Sequence, residues 1–223
     1  MHDVVERLLS IKSEIKELLK ENKTLKLEPN IIAVCKTFPM VNISPLIQAG
    51  HIHFGENRVQ EAESKWQEIK KENSNIKLHM LGKLQTNKVK SALKIFDYIH
   101  SVDNYKLAEK IAHYEKELGK KIKAFVQVNI TQETQKNGID PKELNEFVDY
   151  CKNNLSLNII GLMCLPPINK NPEKYFLYLN QLRNQADLCH LSMGMSNDYQ
   201  IATQCGSTFL RIGSKILDER INI

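Results

Sequence analysis

Two periodicities alternate along the chain. Residues 3–22 place Val4, Leu8, Ile11, Ile15, Leu18 and Leu19 on one stripe with Glu and Lys elsewhere, the spacing of an amphipathic helix. Asn30-Ile31-Ile32-Ala33-Val34-Cys35-Lys36 follows, an apolar run of strand length. Similar runs recur near 51–54, 77–81, 97–102, 123–129, 157–163, 188–193 and 208–212, so eight strands are expected. Helical spacing fills the gaps, roughly over 43–49, 57–71, 85–94, 104–118, 141–154, 172–186 and 197–204. Asp140-Pro141 with Glu143, and Asn171-Pro172-Glu173, read as helix starts with proline at the first helical position. Gly119 after Leu118 reads as a C-cap.

Strand–helix alternation sustained eight times requires a parallel sheet with crossover helices. Eight units close a (β/α)8 TIM barrel of class α/β, and an open doubly wound sheet is the alternative. No Pro/Gly/Ser-rich linker divides the chain, so one domain over 1–223 is expected, with an extra N-terminal helix in 1–25 and the barrel in 30–223. That helix would pack outside the barrel or cap its floor.

Composition narrows the class. Hydrophobic residues at 42% and charged residues at 26% are ordinary globular usage, which argues against a disordered or fibrous chain. The longest apolar run, Ile159–Leu165, is far short of the ~20 residues a membrane helix needs. Asp3 and Glu6 precede Leu8-Leu9 with no long apolar core, so no secretory signal is expected. A net charge of +5 with interspersed signs favours anionic small molecules and no nucleic acid. Five cysteines, an odd number without a C-x-x-C pair, argue against a disulfide framework and for a reducing cytoplasm.

Active residues of such a barrel sit just past the C-terminal ends of its strands. The candidates are Lys36-Thr37, Gly55-Glu56-Asn57-Arg58, Gly82–Lys88, Ser101-Val102-Asp103, Gln127-Val128-Asn129, Ser192–Ser196 and Arg211–Ser214. Four of only nine glycines, Gly55, Gly82, Gly194 and Gly213, fall there, where a missing Cβ permits close backbone approach. Lys36 ends an apolar strand, which aims its amine at the barrel mouth. Burial lowers a lysine's pKa, and a neutral amine attacks aldehydes, although a lysine taken alone is more often a solvated surface group. The loops after strands 7 and 8 are the usual phosphate seat of this architecture. Ser192, Ser196, Gly213, Ser214, Arg211 and the helix start at Asn197-Asp198 supply hydroxyls, backbone N–H groups and a guanidinium there. An amine facing an anion seat suits a phosphorylated aldehyde, either pyridoxal 5′-phosphate (PLP) or a phosphosugar.

Together these stretches form a pattern: Cys35-Lys36-Thr37, His53-Phe54-Gly55-Glu56-Asn57-Arg58-Val59-Gln60-Glu61, His79–Lys88, His100–Asp103, Gln127–Ile130, Gly161–Met163, Ser192–Asp198 and Gly206–Gly213. The chain resembles the pyridoxal 5′-phosphate homeostasis protein family (YggS/PROSC type) over about residues 30–220. The resemblance implies a barrel related to the N-terminal domain of alanine racemase. It implies Lys36 as the aldimine (Schiff-base) lysine, Asn57 beside the pyridine ring, and Ser192, Ser196, Gly213 and Ser214 on the phosphate. Arg211 would face the pyridine nitrogen and keep it unprotonated, a poor electron sink. It further implies cofactor buffering, delivery or sensing without an established reaction, and PLP-dependent apo-enzymes as partners; a barrel of this size is expected to be a monomer. Four residues depart from the family pattern: Lys83 where proline is common, Asn137 where serine is frequent (in Gln135-Lys136-Asn137-Gly138), Ser214 for threonine, and Asp218 for glycine.

The enzymatic rival is an amino-acid racemase, which needs a second acid/base group facing the lysine. Cys35, Cys164 and Cys189 lie on strands and could point inward, but cysteine is usually buried packing. His51, His53, His79, His100 and His190 lack metal-ligand spacing and read as packing residues; no metal is expected. Lys83, Lys88, Lys90 and Lys94 read as a solvated helix face, since aromatic interleaving is absent.

Overall fold

A computed structural model describes residues 2–21, 27–131 and 137–218. Residue 22 of the first helix, the expected boundary at 25, Gln135-Lys136 and residues 219–223 lie outside the described residues. Eight parallel strands close a barrel in chain order: β1 (Asn30–Val34), β2 (His53–Glu56), β3 (Lys77–Met80), β4 (Tyr98–Val102), β5 (Lys123–Gln127), β6 (Asn158–Met163), β7 (His190–Met195) and β8 (Phe209–Ile212). β1 closes onto β8 with Ile32 opposite Arg211. The doubly wound alternative is therefore excluded.

The outer ring holds α2 (Met40–Gln48), α3 (Val59–Glu72), α4 (Val89–Ile95), α5 (Tyr105–Leu118), α6 (Leu144–Asp149), α7 (Glu173–Gln185), α8 (Tyr199–Gln204) and the one-turn α9 (Ser214–Leu217). Gly119 caps α5 at φ +60°, as its position predicts. Asp140 does not cap a helix directly: its Oδ1 takes the Lys142 N–H in a turn, and α6 starts at Leu144. Asn171 Oδ1 accepts the Glu173 N–H at the start of α7.

Helix α1 (Asp3–Glu21) buries Val4, Val5, Leu8, Ile11 and Ile15 against α2, α8 and α9. Because α9 is a single turn, α1 fills much of the ring position of an eighth helix. Glu14 on α1 accepts bonds from the Tyr199 hydroxyl and Gln200 on α8. Arg7 bonds the Ile216 carbonyl at 2.9 Å and pairs with Asp218 at 2.7 Å. Asp218 has φ +77° and ψ 171°, a conformation natural only to glycine, so the glycine frequent at this position has a backbone reason.

Two apolar layers follow from strand alternation. Outward strand residues such as Phe54 pack under the helices, whose Trp66, Phe147 and Phe176 are likewise fully buried. Ile32, Tyr98, Phe125, Met163 and Phe209 fill the barrel interior. Buried histidines share it: His79 stacks on Tyr98 at 4.2 Å and His100 on Phe125 at 4.3 Å.

Strands β2 and β7 run two residues further than their apolar patterns suggest. Gly55 consequently lies inside the wall, where a Cβ would meet Leu81 and Ile32. In β7 the pairing slips between Ser192 opposite Phe209 and Met195 opposite Arg211. Gly194, at φ +91°, absorbs the extra residue.

Candidate functional site at the barrel mouth

A cavity of about 700 Å³ opens at the C-terminal ends of the strands. Lys36, Asn57, Ser196, Arg211, Gly213 and Ser214 line it, so six of the seven residues picked from the sequence share one space. Ser192 is not in the lining. It is fully buried below the cavity, bonded to Arg211 and His100, because β7 continues three residues beyond it. Its place supports a role in holding Arg211 rather than as a phosphate ligand.

The peptide around Lys36 is held from behind by charge. Lys65 on α3 donates to the Cys35 carbonyl and Glu56 Oε1, both at 2.9 Å, and to Glu61 Oε1 at 3.0 Å. Glu61 Oε1 also accepts the Thr37 N–H at 2.7 Å, with Thr37 in the left-handed region at φ +68°. Trp66 Nε1 adds a 2.9 Å bond to Glu56. The residues on either side of Lys36 are thus gripped by one ionic cluster. Burial opposes the Lys65 charge, but its bonds to Glu56 and Glu61 outweigh burial and raise the pKa. Burial wins at Glu56, whose pKa is raised despite Trp66 and Lys65. At Glu61 the Thr37 N–H and Lys65 outweigh burial and lower it. The Glu61–Lys65 pair has visible i,i+4 spacing, but its grip on residues 35 and 37 depends on α3 packing over β2 beside the end of β1, and sequence reasoning missed it.

On the far side, Arg211 is 5% exposed. Its NH1 donates to Ser192 Oγ at 2.7 Å and its NH2 to the Cys164 carbonyl at 2.9 Å. Among the described residues no carboxylate forms an ion pair with it. Asp198 also lines the cavity, but its Oδ1 accepts the Met195 N–H at 2.6 Å. This acidic residue immediately precedes the six-residue α8, so the helix start expected to attract an anion carries a carboxylate. Just after β8 the Gly213 and Lys215 N–H groups converge on Ser196 Oγ, which accepts them at 3.3 and 3.4 Å.

No thiol offers a second acid/base group. Burial and Glu56 push the Cys35 pKa well up, and its Sγ bonds the Ala33 carbonyl at 3.2 Å. Burial pushes Cys164 to about 12. Cys189 precedes β7 and is exposed rather than inward. Among the described residues no group of three or more His, Cys, Asp or Glu could hold a metal ion. His53, His79 and His100 hydrogen-bond one another instead.

The sequence pattern describing the alanine racemase N-terminal domain matches residues 11–217. The pyridoxal phosphate homeostasis protein of Pasteurella multocida (strain Pm70) is 32% identical over 227 residues, covering 97% of each chain. The chain belongs to the pyridoxal phosphate homeostasis protein family. The Aquifex aeolicus (strain VF5) member is 35% identical over 199 residues, covering 85% of this chain and 86% of its own. PipY of Synechococcus elongatus, solved with PLP bound, superposes with a TM-score of 0.79 at 33% identity, covering 91% of this chain and 99% of its own. Alanine racemase of Clostridium difficile 630 superposes with a TM-score of 0.72 at 15% identity, a likeness of fold. This chain spans 57% of that racemase. The family is named for cofactor homeostasis, not for a reaction.

Proposed function

We propose that this barrel binds PLP with Lys36 Nζ as its point of attachment, and that it holds, delivers or senses the cofactor without catalysing a turnover of its own. The observation that carries the reading is one cavity with a primary amine on one wall and a buried guanidinium with converging N–H donors on the other. PLP supplies an aldehyde that condenses reversibly with primary amines. The residues present fit it. Ser196, Gly213 and Ser214 would hold the phosphate through hydroxyl and backbone N–H groups. Arg211, whose acceptors are both neutral, would lie against the pyridine ring as a fixed cation disfavouring ring protonation. Asn57 would flank the ring.

Cys35 and Cys164, the thiols at the ends of β1 and β6, are held well above neutrality by burial, which supports a carrier over a racemase that uses a thiol as its second acid/base group. No described helix is long and apolar enough to cross a membrane. Five unpaired cysteines support a reducing cytoplasm, with a monomer that exchanges its cofactor with PLP-dependent apo-enzymes.

The test is an absorbance spectrum of purified protein with added PLP, then borohydride reduction and peptide mass mapping. The expected result is a stable adduct on the Lys36 peptide, lost in Lys36→Ala. An adduct on another lysine, or none, refutes the reading. Incubation with L-alanine should give no sustained formation of the D-enantiomer, and robust turnover would replace the carrier by the racemase.

A further inference from the structure

Arg211 poses a physical problem. A buried guanidinium normally takes a carboxylate partner, because an uncompensated charge in a low-dielectric interior is costly. Here its two acceptors are neutral, Ser192 Oγ and the Cys164 carbonyl, while Asp198, the carboxylate that acts on it through space, accepts the Met195 N–H instead of pairing with it. Behind Ser192 a line of hydrogen bonds crosses the barrel interior. Ser192 Oγ meets His100 Nδ1 at 2.8 Å, His100 Nε2 meets His79 Nδ1 at 2.9 Å, and His79 Nε2 meets His53 Nδ1 at 3.0 Å. His79, His100 and Ser192 have no solvent exposure.

The chain has a direction that proton counting fixes. Burial depresses the pKa of His79 and His100 far below the ordinary value, and that of His53 to about 4, so each imidazole carries one N–H. Arg211 can only donate, so it takes a lone pair of Ser192. The Ser192 proton then has one partner among the described residues, His100 Nδ1. Donation there leaves the His100 proton on Nε2, facing His79 Nδ1. The His79 proton is then also on Nε2, facing His53 Nδ1. In the reverse direction His100 would donate to Ser192, and the serine proton would be buried without an acceptor, at a cost of about 1–3 kcal/mol. In the favoured direction each ring turns its Nδ1 lone pair toward Arg211 and its N–H away. The dipoles add, with their negative ends toward the guanidinium.

We propose that His79, His100 and Ser192 are positioning residues for Arg211: a one-way line of neutral hydrogen bonds that fixes the guanidinium at the cavity wall without itself cancelling the charge presented to the occupant. A carboxylate in the place of Ser192 would hold the arginine equally well but cancel the charge the cavity presents. The consequence for the bound ring rests on the PLP reading above; the direction of the chain does not.

The test has two arms. In the first, ligand-free full-length protein with 15N-labelled histidine is studied at pH 7 by long-range 1H–15N correlation. His79 and His100 are each expected as a single neutral Nε2–H tautomer. In Ser192→Ala the directing proton is gone, and both rings should show mixed tautomers. A wild-type Nδ1–H form or imidazolium at either ring overturns the proposal, as does an unchanged single tautomer in the variant. In the second arm, equilibrium dialysis compares PLP with an analogue whose ring nitrogen is replaced by C–H. Ser192→Ala and His100→Phe should each weaken PLP about three- to tenfold, the scale of one hydrogen bond. Affinity for the analogue should not change, and Ser192→Thr should restore the wild-type preference. Equal weakening of both ligands would show a merely structural role and overturn the proposal. Wild-type protein that takes up no PLP would sink the cofactor reading alone, leaving the first arm to judge the chain.

Discussion

Two cations of the cavity, Lys36 and Arg211, are mounted in opposite ways. Behind Lys36 stands a cluster of full charges, Lys65 between Glu56 and Glu61, which grips the backbone on either side. Behind Arg211 stands a line of neutral groups, Ser192, His100 and His79, which grips the side chain. The difference follows from what each must present. A charged cluster can position Lys36 because it acts on the main chain and spends its charges internally. Arg211 is held through its own guanidinium, so any charged partner would cancel the feature it contributes.

The largest expected effect comes from breaking the charged mount. Lys65→Met leaves Glu56, which has no exposed surface, without its cation, and should cost about 3–5 kcal/mol in chemical denaturation. The double variant Lys65→Met/Glu56→Gln should recover part of that loss, because no unpaired charge remains buried.

Acid separates the two mounts. The folded barrel holds His51 and His53 at about 4 and His79 and His100 well below the ordinary value, all through burial, against about 6.5 in an unfolded chain. Below pH 6.5 unfolding takes up protons that the folded state refuses, so stability should fall steadily from pH 6.5 toward 4. Glu61 has the opposite shift. Its stabilising share is complete above about 4.5 and is lost only as pH drops through its lowered folded value. Melting temperature against pH should therefore show an early histidine loss and a later carboxylate loss. Stability that stays flat between pH 6.5 and 5 would contradict a neutral interior.

A smaller effect is expected at Gly82, where a Cβ would lie 2.3 Å from the Asn57 carbonyl oxygen. Gly82→Ala should cost about 1–3 kcal/mol and displace Asn57, read as a lower melting temperature with weaker PLP uptake. The smallest concerns two residues that depart from the family pattern and meet across the mouth. Lys83 Nζ donates to Asn137 Oδ1 at 2.8 Å in an exposed bond. Lys83→Ala should change stability by under about 0.5 kcal/mol yet speed cofactor release measured by transfer to an apo-enzyme. Unchanged release would reduce this bond to surface decoration.

Local pattern made much of this readable. The N-terminal helix and eight apolar runs appear in the barrel with shifts of a few residues, because side-chain period and burial are set by neighbours in sequence. Lys36 and Arg211 were found as polar residues in or just after such runs. Ser192 lies buried beneath the cavity rather than in its lining because a bulge at Gly194 lengthens β7, and a glycine's φ is not written in its neighbours.

The chain's own periodicity determined that there would be a parallel sheet of eight strands, and with it that Lys36, Ser196, Gly213 and Ser214 would gather at the C-terminal ends of those strands. Closure of the sheet decided the rest. His53, His79, His100 and Ser192 are separated by 26, 21 and 92 residues, and nothing local marks them as hydrogen-bond partners. Strand register and closure of the barrel bring each within 3.0 Å of the next, from β2 through β3 and β4 to β7. The physical reason is range: helix and strand periods are written by near neighbours, whereas the support behind a buried charge is built from whatever side chains a closed sheet turns inward at the same level.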